Sequence, residues 1–314
     1  MREIVEDIEE TVKDGKLYVA FSGGKDSSLV AILAKMALGK ERVELVTVDW
    51  GPYTYERSRQ IVRNFAEKYG LKHTFISSNG LQEKVWRYGP SCNACTRNVK
   101  THLVKAYAGK HLVASGANAS DSWGKAGLKV FDGVYSPLYR VGKAEINAML
   151  EHLGIEVKKI GESAGREGCK LKHLLKMLIN PNYHGKAVSV ANEILLNILE
   201  EHNFTPELAN VKIAGPLSRN VALVNVKPLP PGKIVEKIVE RLSREETIDE
   251  VVVVDKPIKL FVLANPAIYR NEASRKWVKE GRLQPEFAFP IEVEWKESRN
   301  NRLRTFQVID YRKE

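Results

Sequence analysis

A glycine-rich turn at residues 22–27 is the first place in the chain where residue types and spacing could do chemistry. It reads Ser-Gly-Gly-Lys-Asp-Ser and follows directly on an apolar run. Two adjacent glycines let the backbone turn tightly, so that N–H groups and the start of the next helix face an anion. Lys25 can neutralise phosphate charge, and Asp26 can help to hold Mg²⁺ against a pyrophosphate. The turn therefore predicts a phosphate cradle formed by Ser22, Gly23, Gly24, Lys25, Asp26 and Ser27.

The three cysteines form a second candidate site. Cys92 and Cys95 are separated by two residues just before a predicted helix, and Cys169 lies in a later loop. Two thiolates at this spacing can bind one metal, and an odd number of cysteines disfavours a disulfide framework. Three interpretations remain open. They are zinc held by the three cysteines with His173, a 4Fe–4S cluster held by the cysteines with one iron open, and a persulfide or disulfide relay.

The elements that must position these residues alternate along the first half of the chain. The pattern predicts helices at 2–13, 27–40, 54–69, 96–108 and 143–153 and strands at 16–21, 43–48, 73–76 and 111–115. Such alternation is typical of βαβ units, so we expect the α/β class, with a parallel sheet covered by helices on both faces. Ligands in such sheets bind at the carboxyl ends of the strands, where the glycine turn lies.

The regular alternation of predicted strands and helices ends after Asn180-Pro181-Asn182. Helices are predicted at 186–201 and about 233–243, with strands around 211–226 and at 251–254, 260–263, 291–295 and 306–309. We therefore expect a catalytic domain at 1–182 and a separate α+β domain at 183–314.

The glycine turn resembles the Ser-Gly-Gly-x-Asp-Ser pattern of the PP-loop ATP pyrophosphatase superfamily, whose fold is of the adenine nucleotide alpha hydrolase type. The resemblance implies that ATP is cleaved between its α and β phosphates, that a substrate carbonyl oxygen is adenylated, and that a nucleophile then displaces AMP. It also implies backbone contacts to adenine near Val48. Further site residues follow from two segments, 115–121 and 136–146. In the first, Gly116, Asn118 and Asp121 match a Gly-His-Asn-x-Asp-Asp pattern, whereas Ala117 and Ser120 depart from it; in the second, Lys143 matches a phosphate-contacting lysine.

The cysteines resemble those of cluster-dependent tRNA 2-thiolation enzymes, in which three cysteines hold a 4Fe–4S cluster beside the ATP site. Cys92, Cys95 and Cys169 match them one by one, and the chain is also similar to sulfur insertases of nickel-pincer cofactor synthesis. The resemblance implies an ATP- and Mg²⁺-dependent sulfurtransferase that acts on a tRNA base and receives sulfur from a donor protein or sulfide. Three other hypotheses remain: a sulfur insertase that acts on a small-molecule cofactor, an ATP-dependent ligase or amidating enzyme with zinc at the cysteines, and a non-catalytic nucleotide- or RNA-binding module.

The basic composition is compatible with an RNA partner but does not require one. The chain has 314 residues, a formal net charge of +10 and 28% charged residues, and a basic surface suits a polyanion. Basic and aromatic residues gather in the tail, and we expect them to contact RNA: Arg270, Arg275, Lys276, Trp277, Lys279, Arg282, Trp295, Lys296, Arg299, Arg302 and Arg304. An acidic, amphipathic start and the lack of a long apolar run predict a cytoplasmic protein without a membrane span. A homodimer is one assembly that the sequence allows.

Overall fold

The chain packs into two compact units in the computed structural model, which describes residues 1–157 and 168–313. Unit 1 contains residues 1–79 and 96–157 together with Gly168, and unit 2 contains residues 80–95 and 169–313. The domain division expected at residues 182/183 stays a prediction.

Helices and strands are numbered along the chain. The α-helices in the described residues are α1 (Arg2–Val12), α2 (Lys25–Leu38), α3 (Glu56–Tyr69), α4 (Leu81–Trp86), α5 (Cys92–Cys95), α6 (His102–Ala108), α7 (Ser122–Lys125), α8 (Lys143–His152), α9 (Lys186–Glu201), α10 (Gly232–Ser243), α11 (Pro266–Tyr269) and α12 (Glu272–Lys276). The strands of unit 1 are β1 (Leu17–Ala20), β2 (Val43–Asp49), β3 (Lys72–Ser77), β4 (Leu112–Ala114), β5 (Val130–Phe131) and β6 (Val134–Tyr135).

These six strands form one sheet in the order β3-β2-β1-β4-β6-β5. Every neighbouring pair is parallel except β5 and β6, which form an antiparallel pair at one edge. Strand β1 is central, and Val19 is paired with Leu45 of β2 on one side and with Ala114 of β4 on the other. The glycine turn therefore leaves the sheet from a strand that has neighbours on both sides.

Helices cover both faces of this sheet because successive side chains of a strand point to opposite faces. On β2, Val43 and Leu45 belong to a core cluster shared with α1, α2, α3 and α8. Val46 and Val48 belong to a second cluster, which includes Val104 and Ala108 of the α6 region. The predicted α/β class, with its mainly parallel sheet, is confirmed.

Unit 2 contains two three-stranded sheets. Its strands are β7 (Leu208–Ala214), β8 (Val221–Lys227), β9 (Glu250–Val253), β10 (Ile258–Ala264), β11 (Ile291–Glu297) and β12 (Phe306–Lys313). The orders are β7-β8-β9 and β11-β10-β12. One apolar core joins the two sheets through residues such as Leu223 and Leu260, both fully buried. The predicted C-terminal α+β architecture is confirmed.

Short elements are where the structure differs from the predicted pattern. The single helix expected at 96–108 is instead a π-helical turn at Thr96–Thr101 followed by α6, and the one-turn helix α5 directly precedes the π-helical turn. The Thr101 hydroxyl donates to the carbonyl of Thr96 five residues earlier, a spacing that accommodates the wider turn. Helices α4, α11 and α12 were not expected, because four to six residues are too few to show a helical period. No helix among the described residues is both long and apolar enough to cross a bilayer.

Candidate functional site

The glycine turn forms a cradle between β1 and α2. Gly23 has a φ of 68°, a left-handed conformation that glycine adopts without a steric penalty. The hydroxyl oxygens of Ser22 and Ser27 lie 3.2 Å apart, and the Ser27 hydroxyl donates to the carbonyl of Gly24 at 3.1 Å. Helix α2 begins directly after Gly24, without a side-chain cap from the described residues. Its first N–H groups and its positive dipole end suit an anion.

The Asp26 carboxylate is the group that side chains from two other segments contact. Its Oδ2 atom lies 2.7 Å from the ammonium nitrogen of Lys143 and accepts a hydrogen bond from the side-chain amide of Asn118 at 3.3 Å. Its Oδ1 atom is buried and has no hydrogen-bond partner among the described residues. A buried carboxylate oxygen without a partner is costly, and carboxylate oxygen is a ligand that Mg²⁺ prefers. Asp26 therefore fits the predicted role in holding Mg²⁺.

The loop after β4 packs directly against the cradle. A Cβ atom on Gly116 would lie 2.9 Å from the Cβ of Asp26 and 3.2 Å from the backbone nitrogen of Ser27, so only glycine allows this approach. Asn118 is fully buried, and its backbone N–H donates to the Asp121 carboxylate at 3.0 Å. Asp121 therefore shapes the loop, and Asn118 reaches the cradle.

This arrangement lies at the point where the strand order reverses. Strands β2 and β3 extend the sheet from one side of β1, and β4 extends it from the other. The turn after β1 and the loop after β4 leave the carboxyl ends of these two neighbours. Crevices at such reversals are where open α/β sheets bind ligands.

Helix α8 supplies two side chains to the cradle. Lys143 reaches Asp26, and one turn later the Asn147 side-chain oxygen accepts a hydrogen bond from the ammonium of Lys25 at 2.8 Å. Residues four apart share a helix face, and both side chains are on the exposed part of α8. Sequence analysis missed Asn147. Asn147 follows Lys143 by four residues in a predicted helix, and this spacing could have indicated that both side chains face the cradle.

The end of β2 is held rigidly beside this region of the sheet. Val48 is buried at 4% exposure, and its proposed backbone contact with adenine stays a prediction. The next residue, Asp49, binds the Arg59 guanidinium at 2.9 Å. Burial alone would raise the pKa of Asp49, but hydrogen bonds from Arg59 and Thr54 hold that pKa below its usual value. The carboxylate therefore stays charged and fixes the loop that follows β2.

The three cysteines all belong to unit 2. Cys95 is buried, Cys92 and Cys169 are half-buried, and none is in a disulfide. His173 is fully buried, and its Nδ1 atom accepts a hydrogen bond from Lys212 at 2.8 Å.

Neither metal hypothesis for the cysteines finds support in this arrangement. Among residues 1–157 and 168–313, no group of three or more His, Cys, Asp or Glu side chains is arranged to hold a metal ion. The expected zinc site and 4Fe–4S cluster at Cys92, Cys95 and Cys169 are therefore not supported by the described side chains.

The fold and the cradle together define the class of protein. A mainly parallel sheet with a Ser-Gly-Gly-x-Asp-Ser turn after its central strand is the architecture of the PP-loop ATP pyrophosphatase superfamily. Within that class, the sequence model of the NAD synthase family matches residues 1–160. The chain belongs to the NAD synthase family.

Individual relatives match shorter stretches. A glutamine-hydrolyzing GMP synthase component of Thermococcus kodakarensis is 37% identical over 79 residues, which are 25% of each chain. The glutamine-hydrolyzing GMP synthase of Aliivibrio salmonicida is 40% identical over 73 residues, 22% of this chain and 14% of that one. The match thus spans a quarter or less of these curated relatives.

Among solved structures, NH3-dependent NAD synthetase from Campylobacter jejuni aligns with a TM-score of 0.40 and 21% identity, over 49% of this chain and 72% of that one. The specific resemblance to tRNA 2-thiolation enzymes is not confirmed by these matches.

Proposed function

We propose that this chain is an adenylate-forming enzyme that binds ATP with Mg²⁺ at the turn of residues 22–27. A substrate oxygen attacks the α-phosphorus, the bond between that phosphorus and the bridging oxygen to the β-phosphorus breaks, and pyrophosphate leaves. A nucleophile then attacks the adenylated carbon, and AMP departs with the substrate oxygen. Adenylation helps because it turns a poor oxygen leaving group into a good one.

The observation that supports the proposal is the set of contacts around the Asp26 carboxylate. Lys143 and Asn118 hold one carboxylate oxygen, and the other is left for a cation. When bound, Mg²⁺ would neutralise phosphate charge. The chain's own residues do the rest: Lys25 and Lys143 place two ammonium groups at the cradle, and helix α2 directs N–H groups towards the phosphates.

Formation of AMP and pyrophosphate tests the first step. We expect the protein to convert ATP to these products, and Lys143→Ala or Asp26→Asn to lower the rate by about 100-fold. Lys40→Ala is the matched control, because Lys40 is an exposed lysine of unit 1 whose partner is Glu41 at 3.8 Å. Formation of ADP and phosphate by the wild type, or equal rates for Lys143→Ala and the control, would refute the proposal.

For the second step, a nitrogen nucleophile is the proposal that the family supports. The chain belongs to the NAD synthase family, and the matched relatives bear the name of glutamine-hydrolyzing GMP synthase. An ATP-dependent ligase of the amidating type would use ammonia to displace AMP, which needs no redox partner and no metal at the cysteines.

Sulfur transfer is the second candidate, and the cysteines favour it. Cys92, Cys95 and Cys169 lie in one compact unit although Cys95 and Cys169 are far apart in sequence. Sulfide from a donor could displace AMP as ammonia does, again without a change of oxidation state. A tRNA base as the oxygen substrate, the sulfur donor protein and a homodimer remain proposals at this level.

Isotope incorporation separates the two second steps. The protein would be incubated with ATP, ¹⁵N-ammonium and ³⁴S-sulfide, once with bulk tRNA and once with a small-molecule extract, and the products read by mass spectrometry. Amidation predicts ¹⁵N in a product, unchanged in Cys92→Ala and Cys169→Ala. Sulfur transfer predicts ³⁴S in a product, and loss of this label in Cys92→Ala or Cys169→Ala would place those thiols on the path of the sulfur. Incorporation of neither isotope while AMP is formed would reject both second steps and leave adenylation standing.

A further inference from the structure

Unit 2 carries an ordered loop with three exposed arginines between β11 and β12. We call residues 298–305 the arginine loop; its arginines are Arg299, Arg302 and Arg304. Leu303 is buried at 4% exposure and anchors the loop in the unit. The side-chain oxygen of Asn300 accepts a hydrogen bond from the backbone N–H of Arg302 at 3.0 Å. The guanidinium groups are therefore presented by a folded turn.

The arginine loop is locked to the segment that precedes Cys92. The backbone N–H of Arg304 donates to the carbonyl of Tyr88 at 2.9 Å, and the Arg304 guanidinium lies 4.5 Å from the centre of the Tyr88 ring. Gly89 has a φ of 110°, and a Cβ atom there would lie 2.3 Å from the Thr305 hydroxyl. This contact needs glycine, so the aromatic ring and the guanidinium keep a fixed relation.

The charges of this surface are not neutralised by carboxylates in the part of the chain that the structure describes. Among the described residues, no carboxylate forms an ion pair with Arg299, Arg302 or Arg304, nor with the exposed Arg87 beside Tyr88. The nearby Glu297 is bound to Arg270 at 2.8 Å. Two other exposed arginines of the unit do have carboxylate partners: Arg219 binds Glu250 and Arg244 binds Glu240. The described residues of unit 2 thus include arginines that are paired with carboxylates and, in the arginine loop, three that are not.

We propose that the arginine loop and Arg87-Tyr88 form a binding surface for single-stranded RNA. Guanidinium forks match phosphate geometry, and a tyrosine ring or an arginine plane can stack on an unpaired base. Both kinds of group are present here within one rigid contact. An acidic polypeptide could satisfy the charges but would leave the stacking pair without a role, so RNA is the better match.

RNA binding by this surface is separate from the proposed adenylation, and its test uses no ATP. A negative RNA-binding result would therefore leave the adenylation proposal standing, and the reverse also holds. Binding of a fluorescein-labelled 12-nucleotide RNA to the full chain would be followed by anisotropy across a salt series. The test variant is R299A/R302A/R304A. The matched control is R219A/R244A/R270A, which removes the same charge from arginines that already have carboxylate partners.

We expect the test variant to bind at least 10-fold more weakly than the control. The slope of log affinity against log salt concentration should be smaller in magnitude by about 2 for the test variant, since each lost phosphate contact reduces that slope by roughly 0.7. Tyr88→Phe should keep wild-type affinity, and Tyr88→Leu should lose about 5- to 100-fold through lost stacking. Circular dichroism melting of every variant shows whether the fold is retained.

Two results would overturn the proposal. One is equal RNA affinity and salt slope for the two triple variants in their folded state. The other is displacement of the RNA by poly-glutamate as readily as by unlabelled RNA of equal charge, which would assign the surface to an acidic polypeptide.

Discussion

Replacing Gly116 by alanine should weaken nucleotide binding through one steric contact. The new Cβ would lie 2.9 Å from the Cβ of Asp26, whereas non-bonded carbon atoms pack at about 3.5–4.0 Å. The loop after β4 and the cradle must therefore separate by roughly 0.6 to 1.1 Å. Asn118 is on the same loop and already lies 3.3 Å from Asp26, so this hydrogen bond would be lost.

The expected size of the effect follows from the energy of overpacking. An extra methyl group in a packed region costs about 1–3 kcal/mol. When a nucleotide binds, the displaced cradle must return to its original position, so the overpacking energy opposes binding. Each 1.4 kcal/mol lost in this way weakens the affinity tenfold. We therefore expect Gly116→Ala to bind α,β-methylene-ATP with Mg²⁺ about 5- to 140-fold more weakly, as measured by calorimetry.

Gly232→Ala is the control for this experiment. Gly232 begins helix α10, and a Cβ atom there would meet nothing within 4 Å. Its affinity should equal that of the wild type. The reasoning is refuted if Gly116→Ala, folded by its melting curve, binds the analogue within twofold of the wild type.

Three further variants test separate parts of the chain. Asn147→Asp would place a carboxylate on Lys25 and repel phosphate, so it should bind the same analogue several-fold more weakly than Asn147→Ala; equal affinities would remove Asn147 from the site. Burial, with a smaller contribution from a nearby arginine, lowers the pKa of His73 to about 4, whereas an unfolded histidine titrates near 6.5. The folded state thus favours the neutral ring, and its stabilising effect is present above pH 6.5 and lost as the pH falls towards 4. The urea unfolding free energy of the wild type should therefore drop by about 1–2 kcal/mol more than that of His73→Gln between pH 7 and pH 4, because solvent screening at this half-buried ring reduces the full effect; parallel curves would contradict this. Lys176 is fully buried and donates to two backbone carbonyls of the turn between β7 and β8. Lys176→Met should lower the unfolding free energy by about 1–3 kcal/mol, and an unchanged urea midpoint would show that the carbonyls find other donors.

The sequence alone determined the parts of this protein that depend on neighbouring residues. The apolar run, the two glycines and the helix after them lie within about one βα unit, so residue type and period predict the turn at 22–27 and its anion-facing N–H groups. The alternation of strands and helices likewise predicted the α/β sheet, since each element's pattern is local. Cysteine spacing did not determine what the thiols do, because spacing along a chain leaves open which other side chains approach them.

Only the tertiary structure decided which distant residues meet. Asp26 is separated from Asn118 by 92 positions and from Lys143 by 117, and Lys25 is separated from Asn147 by 122. These contacts exist because β4 pairs beside β1, which brings the loop after β4 to the cradle, and because α8 packs against α2. The basic C-terminal tail also shows what sequence leaves undecided. Its arginines and lysines could be listed from the sequence, but which of them pair with carboxylates depended on the tertiary structure. Strand order and helix packing depend on long-range contacts that local propensity does not encode. They alone place Lys143 and Asn118 against the Asp26 carboxylate of the glycine turn.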